Sequence, residues 1–211
     1  MNKEKFIEEL DKINIILTEE QIEKLDKFYK LLIEWNKKIN LTRIEDEEEV
    51  YLKHFYDSLT IVKVVDLNKI NTLCDVGTGA GFPGIVLKIV FPNLKITLID
   101  SLQKRVNYLN TIIKELNLNN IEAVHARGEE YKGKFDLVTS RAVANIEKLV
   151  KYTMHLVSPS GIFVAMKGDI DNELTEDIKR KLSKKYKITK IEKFLLPIEE
   201  SKRSLVVMKN K

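Results

Sequence analysis

The sequence has little that would suit a metalloprotein or a membrane protein. It contains one cysteine, Cys74, and three histidines. One cysteine cannot form an internal disulfide, and without partners at ligand spacing it cannot anchor a zinc site, so we expect no metal cofactor. There is no long apolar run, and residues 1–5 lack the charged-then-apolar layout of a secretory signal. We therefore expect a cytoplasmic protein without a membrane partner.

The charge is small overall but unevenly placed along the chain. The net charge is +4, yet residues 1–70 carry 12 Lys/Arg and 16 Asp/Glu, whereas residues 71–211 carry 24 and 16. The basic excess thus lies in the C-terminal two-thirds. It favours a phosphate-rich partner such as RNA only weakly, because a lysine-rich composition often gives no more than a well-solvated surface.

The N-terminal part, residues 1–70, reads as a helical segment packed on a core. Apolar residues from Ile22 to Ile39 recur at helical spacing, and Thr18 with Gln21 predicts a capping box at the start of that helix. Shorter helices are expected at 47–53 and 54–65. Trp35 is expected to pack between helices, and His54 to be a packed or hydrogen-bonded histidine rather than a catalyst.

Residues 71–211 have the sequence pattern of an α/β domain. Short apolar runs predict buried strands at 72–76, 95–100, 121–125, 135–139 and 161–166, with a helix after each of the first four. A helix at 171–185 and an antiparallel edge hairpin at 186–191 and 204–208 would follow. Alternating strands and helices predict a seven-stranded, mostly parallel, doubly wound sheet, with ligands bound at the carboxyl ends of the strands.

The segment 75–84, DVGTGAGFPG, directly follows the first predicted strand. Gly77, Gly79 and Gly81 would let the backbone turn tightly and approach a ligand. The letters 79–84 also spell G-x-G-x-x-G, so a nicotinamide-dependent oxidoreductase remains an alternative. Asp75 before the loop and Asp100 after the second strand instead suit S-adenosylmethionine (AdoMet), which has an ammonium group and a ribose diol. For Asp75 the alternative is that it only caps the turn, and for Asp100 that it only ends a strand.

Several blocks in order closely resemble the bacterial small-subunit rRNA guanine-N7 methyltransferase G family, formerly called glucose-inhibited division protein B. They are 35–42 (WNKKINLT), 54–59 (HFYDSL), 75–84, 100–105 (DSLQKR) and 140–144 (SRAVA). The resemblance covers nearly the whole chain. It implies a class I, Rossmann-like AdoMet-dependent methyltransferase that methylates N7 of guanine 527 in 16S rRNA.

The resemblance also implies roles for particular residues. Gly77 and Phe82 would line the cofactor, Asp100 would face its ribose, and Gly128 and Glu129 would meet the adenine end. Arg141 would reach the mouth of the active site, where it is a candidate to position the reactants and to contact the cofactor. The family pattern usually has alanine before Glu129, and this chain has Gly128, which predicts a more flexible loop.

The expected chemistry requires no general base. N7 of guanine carries a lone pair and no proton, so catalysis can depend on positioning the reactants and excluding water. No Asn/Asp-Pro-Pro-aromatic segment for amine methylation follows the fourth strand, and Cys74 lies inside a strand rather than at a nucleophile position.

Four cations near the predicted strand ends are candidates for contact with RNA. Arg141 and Lys167 end the fourth and fifth strands, and Lys104 and Arg105 begin the second helix. Ordinary surface pairing is the alternative, especially for Lys104 and Arg105. The partner would be 16S rRNA or the small ribosomal subunit, and we expect a monomer. A non-catalytic RNA-binding protein on the same fold is the remaining alternative.

Overall fold

The computed structural model describes residues 1–141 and 144–211; Ala142 and Val143 of the block 140–144 lie outside the described residues. The N-terminal part begins with α1 and α2. A continuous helical run, 47–63, follows them. The helices are α1 Lys3–Asp11, α2 Glu19–Ile39, α3 Glu47–Val50, a π-helical turn Tyr51–Tyr56, α4 Asp57–Leu59, α5 Gly84–Val90, α6 Gln103–Glu115, α7 Ile146–Thr153 and α8 Glu176–Leu182, with 3₁₀ turns at Thr60–Lys63, Leu67–Lys69 and Met154–Leu156.

Seven strands form one sheet in the order β3-β2-β1-β4-β5-β7-β6. They are β1 Thr72–Val76, β2 Lys95–Asp100, β3 Ile121–His125, β4 Phe135–Arg141, β5 Val157–Lys167, β6 Tyr186–Leu195 and β7 Lys202–Asn210. The first five pair in parallel, and β7 runs antiparallel to both β5 and β6. The predicted seven-stranded, mostly parallel, doubly wound sheet with its antiparallel edge hairpin is confirmed. Strand order reverses between β1 and β4, which places the ligand crevice at their carboxyl ends.

Helices cover both faces of the sheet. One apolar core joins α2, α5 and α6 to one face, while α7 and α8 pack on the other face in a second core. Strand residues alternate between them, with Leu73 in the first core and Cys74 in the second. The N-terminal helices extend the first core, since Leu25, Phe28 and Leu32 of α2 are fully buried in it.

The start of α2 agrees with the capping prediction. The backbone N–H of Gln21 donates to the Thr18 hydroxyl at 3.2 Å, and the Thr18 N–H donates to the Gln21 side chain at 2.9 Å. Trp35 on this helix packs edge-on against Tyr108, with ring centroids 5.7 Å apart. Among the described residues, no helix combines the length and the apolar character that crossing a membrane requires.

Three expectations about local structure were wrong. The described chain between β3 and β4 has no helix; Glu130 and Tyr131 instead donate to the Arg127 carbonyl in a tight turn that contains Gly128. The helix expected at 171–185 is shorter, because the Thr175 side chain caps its start and leaves 171–174 outside it. The two helices expected at 47–53 and 54–65 are one helical run that changes its hydrogen-bonding pattern.

Candidate functional site

The loop between β1 and α5 depends on its glycines. Gly77, Gly79 and Gly81 have φ angles of 72°, 60° and 95°, a region that residues with a Cβ rarely adopt. Gly84 has a different role, because a Cβ there would lie 2.2 Å from Leu98 Cδ2 on β2. It thus allows α5 to pack closely on the sheet, although Pro83 precedes it.

Asp75 supports this loop from beneath. Its carboxylate is fully buried and accepts hydrogen bonds from the Thr78 hydroxyl at 2.7 Å and from the Gly84 N–H at 2.9 Å, both at Oδ2. Oδ1 has no partner among the described residues. Burial raises the pKa of Asp75 to about 6, although both hydrogen bonds lower it. This geometry is the turn-capping role that was the alternative for Asp75.

A cleft of about 310 Å³ opens beside the loop at the carboxyl ends of β1 and β2. It brings together four of the predicted cofactor residues: Gly77, Asp100, Gly128 and Glu129. Its volume is at the lower end of the range for small-molecule sites. The remaining lining residues are Val76, Ile99, Ser101, Ala126, Arg127 and Tyr152.

The carboxylate of Asp100 lines this cleft and is held in place by two backbone N–H groups. Oδ2 accepts from the Gly79 N–H at 2.9 Å, and Oδ1 accepts from the Leu102 N–H at 2.9 Å. Arg105 lies 3.4 Å from Oδ2 and is therefore a partner of this carboxylate. A carboxylate has about four acceptor positions. Gly79, Leu102 and Arg105 use three of them, so Asp100 retains about one position, on Oδ1, for a hydroxyl of a ribose diol. The residues of the cleft fit the cofactor expected from the sequence.

Gly128 is a tightly packed position rather than a flexible one. A Cβ there would lie 2.6 Å from Val76 Cγ1 and 3.1 Å from the Tyr152 carbonyl oxygen. An alanine side chain at this position would overlap with these two neighbours, so glycine suits the packing of this chain.

A second cavity, of about 270 Å³, lies at the carboxyl ends of β4 and β5 and beside the start of β7. It joins Arg141 and Lys167, two of the four predicted RNA-binding cations. We call it the cation cavity, because one carboxylate, Asp57, accompanies four basic side chains. Its lining residues are Ile44, Lys53, His54, Asp57, Arg141, Met166, Lys167, Gly168, Phe194, Arg203 and Leu205. Neither Lys104 nor Arg105 lines this cavity or the cleft.

Arg141 is held by the helical run 47–63. Its Nη1 donates to the Lys53 carbonyl at 2.7 Å and to Asp57 Oδ2 at 3.0 Å. Its Nη2 lies 3.1 Å from His54 Nδ1. Arg141 is also expected to contact the cofactor, but it lines the cation cavity and not the cleft.

His54 has three polar neighbours. Its Nε2 lies 2.9 Å from the Thr42 hydroxyl, and its Nδ1 lies 3.1 Å from Arg141 Nη2 and 3.2 Å from the Lys53 carbonyl oxygen. A guanidinium only donates, so the tautomer protonated at Nε2 is the one that accepts from Arg141. Burial, with a further contribution from Arg141, lowers the pKa of His54 to about 3. His54 is a neutral, hydrogen-bonded imidazole, in agreement with its predicted packing role.

Phe82 connects the two sites. It belongs to the glycine loop, and its ring lies 4.4 Å from the His54 ring and 5.2 Å from the Arg141 guanidinium carbon. Only 5% of its surface is exposed. Its side chain therefore packs under the cation cavity and does not line the cleft.

Sequence reasoning missed Asp57 and Arg203. Asp57 lies within the block 54–59, yet nothing in that block identifies its partners. Arg203 directly precedes the buried part of β7, residues 204–208, and a charged residue beside this mostly apolar run was the available signal. Within the described residues, no group of three or more His, Cys, Asp or Glu could hold a metal ion.

Comparison with known proteins gives consistent results. The family model described as rRNA small subunit methyltransferase G matches residues 21–206. The chain is 49% identical to Ribosomal RNA small subunit methyltransferase G of Lactobacillus helveticus, over 99% of this chain and 91% of that protein. It is 45% identical to the protein of the same name from Lysinibacillus sphaericus, over 98% and 90%. In fold, it resembles a SAM dependent methyltransferase from Aquifex aeolicus, with a TM-score of 0.59 and 17% identity over 80% and 96%.

Proposed function

Because the chain belongs to the rRNA small subunit methyltransferase G family, we propose that it transfers a methyl group from AdoMet to N7 of guanine 527 in 16S rRNA. The chain is a class I AdoMet-dependent methyltransferase, and AdoMet is its cofactor. This membership removes the oxidoreductase alternative. The choice of atom and nucleotide is our proposal, and so is its action as a cytoplasmic monomer on 16S rRNA or the small subunit.

The cleft supplies the groups that hold the cofactor. Asp100 would accept from a ribose hydroxyl, and the Gly77 backbone leaves room for close approach. Gly128 and Glu129 would lie at the adenine end. When bound, AdoMet supplies an electrophilic methyl group on a sulfonium.

The cation cavity supplies the groups that bind RNA. Lys53, Arg141, Lys167 and Arg203 line it together with Asp57. Lys53 also pairs with Glu49 and Glu199, and Lys167 pairs with Glu173, so RNA phosphates would compete with these carboxylates for the two lysines. Phosphate contacts of this kind position an RNA strand without reading its sequence. We propose that these residues hold the backbone near the target, so that the guanine enters between the two sites.

The proposal depends mainly on one observation: the cleft and the cation cavity lie side by side where the strand order reverses, between β1 and β4. Ser140 Oγ donates to the Val76 carbonyl at 2.7 Å and joins β4 to β1 there. Phe82 packs between the loop and the cation cavity. Two reactants bound on either side of this junction would be held close together, which is the main requirement for alkylating a nitrogen that has no proton.

No residue is needed to remove a proton, because N7 of guanine carries none. His54 is the one histidine at the cation cavity, and its lone pair at Nδ1 is already used by Arg141. What the chain contributes is orientation and exclusion of water.

The test incubates the protein with AdoMet and with 16S rRNA or small subunits that lack the modification. N7-methylguanine is then mapped by its susceptibility to chain cleavage. One new cleavage site at guanine 527 is the expected result. Methyl incorporation without cleavage would overturn the N7 assignment. AdoMet binding with no incorporation on either substrate would support the non-catalytic RNA-binding alternative.

A further inference from the structure

Asp57 joins two arginines that come from distant parts of the chain. Its Oδ2 accepts from Arg141 Nη1 at 3.0 Å, and its Oδ1 accepts from Arg203 Nε at 3.1 Å. Arg141 ends β4, and Arg203 begins β7. Asp57 is buried, with 9% of its side chain exposed. A single buried group therefore connects the parallel part of the sheet, the edge hairpin and the helical run 47–63.

The two guanidinium groups are only partly used by the protein. Each has five N–H donors. Arg141 donates through Nη1 and Nη2, and Arg203 donates through Nε to Asp57 and through Nη1 to the Ser201 hydroxyl and the Lys202 carbonyl. Within the described residues, Arg203 Nη2 and Arg141 Nε make no protein hydrogen bond. Both side chains line the cation cavity, so these donors remain for a ligand.

The local backbone brings Asp57 to this position. It directly follows the π-helical turn Tyr51–Tyr56, which is wider than an α-helical turn. The same turn presents the Lys53 carbonyl and the His54 ring, which also accept from Arg141. Three acceptors within five residues therefore determine the orientation of one guanidinium.

By charge alone, Asp57 opposes the function of this cavity. A carboxylate among cations reduces the attraction for phosphate. We propose that Asp57 is a positioning residue for methyl transfer, which orients Arg141 and Arg203 so that their remaining donors bind the RNA strand in the reactive geometry. This inference rests on the proposed function and adds to it the residue that shapes the RNA site.

The charge effect and the positioning effect predict opposite results for Asp57→Asn. If charge alone mattered, the variant would bind RNA more tightly and methylate at least as fast. If Asp57 orients both arginines, an asparagine, with one acceptor oxygen, cannot hold both guanidiniums in place. We expect kcat to fall about tenfold or more, because the lost contacts act in the reactive complex. The Kd for RNA should not weaken, and its dependence on salt should become steeper.

Asp57→Glu separates geometry from charge. It keeps the carboxylate and moves it by one methylene, and we expect kcat to fall here also. The matched control is Asp169→Asn, which removes an acidic partner of Lys202 on the same hairpin but outside the cation cavity. Its kcat should stay within about twofold of wild type.

Titration with AdoMet and thermal unfolding accompany each assay. The AdoMet Kd of both Asp57 variants should stay within about twofold of wild type, because Asp57 does not line the cleft. If wild type forms no N7-methylguanine, the proposed function fails. If wild type forms it and Asp57→Asn is as fast or faster, the positioning role is overturned. Parallel loss of folding, AdoMet binding and kcat in both variants would also overturn it, because Asp57 would then be a structural residue.

Discussion

The imidazole of His54 stacks on the ring of Phe82, with centroids 4.4 Å apart and 21° between the planes. One ring belongs to the helical run 47–63 and the other to the cofactor loop. Because His54 also accepts from Arg141, the glycine loop, the N-terminal helices and the fourth strand meet at this pair. This arrangement requires a neutral imidazole, because a protonated, positively charged imidazole would be repelled by the Arg141 guanidinium.

Acid should therefore destabilise the protein through His54. The folded pKa is about 3, below the ordinary value of 6.5, because of burial and Arg141. Between pH 6.5 and 3 the unfolded chain binds more protons, so this contribution to stability is present above pH 6.5 and is lost as the pH falls. The slope for one group is at most about 1.4 kcal/mol per pH unit.

His54→Gln tests this, because glutamine can accept from Arg141 and donate to Thr42 without titrating. Urea unfolding from pH 7 to 4.5 should show a shallower fall in the free energy of unfolding than in wild type. His155→Gln, at an exposed position, is the control and should follow wild type. Equal slopes for His54→Gln and wild type would contradict the prediction.

Asp75 should have the opposite effect and make the folded protein less stable as the pH rises. Its folded pKa is raised to about 6 by burial, from 3.8. The folded state keeps the proton longer, so this contribution is present below pH 3.8 and is lost as the pH rises to 6. The free energy of unfolding lost over this pH range is about 3 kcal/mol for a fully buried group.

Asp75→Asn removes this titration. Relative to wild type, the variant should gain unfolding free energy as the pH rises from 4 to 6.5, measured by urea unfolding without AdoMet. A constant difference between the two proteins over that range would show that Asp75 ionises normally.

Gly77→Asp should abolish AdoMet binding. Gly77 has a positive φ and lines the cleft, so a side chain would both strain the backbone and enter the ligand's space. Calorimetric titration should detect no binding. Asn93→Asp, which adds the same charge at an exposed turn, is the control and should bind AdoMet normally. Unchanged affinity in Gly77→Asp would reject the cleft as the cofactor site.

Arg141→Ala should reduce methyl transfer far more than AdoMet binding. Arg141 lines the cation cavity and lies outside the cleft lining. Loss of its charge-assisted hydrogen bonds, each worth about 1.5–3 kcal/mol, should lower kcat/KM for RNA about tenfold or more. Arg141→Lys keeps the charge but not the planar fork, and should recover only part of the loss. Equal losses in transfer and in AdoMet affinity would instead assign Arg141 to the cofactor, the role that the sequence also suggested.

Local features were predictable because adjacent residues determine them. Thr18 and Gln21 cap α2 through contacts three residues apart, and three alternating glycines predict a loop with positive φ angles. Apolar runs located the strands, and the order of strands and helices predicted the parallel sheet with its edge hairpin. The expectation that 121–125 is a buried strand was wrong, because β3 lies at the edge of the sheet and none of its residues is fully buried. The helix expected after β3 shows the limit of this reasoning, since periodicity was weak there and Gly128 packs in a tight turn.

The partners of the site residues were decided by the tertiary structure. Asp57 and Arg203 are 146 residues apart in sequence, and they meet only because β7 inserts beside β5 in the sheet. Phe82 was expected to face the cofactor, but the N-terminal helices draw its ring into their aromatic core, beside Phe28 and His54. The sequence by itself determined the fold, the cofactor loop and the family, because these depend on local conformation and residue order. The arrangement of charges around the cation cavity depends on which strands become neighbours, and only the folded sheet decided that.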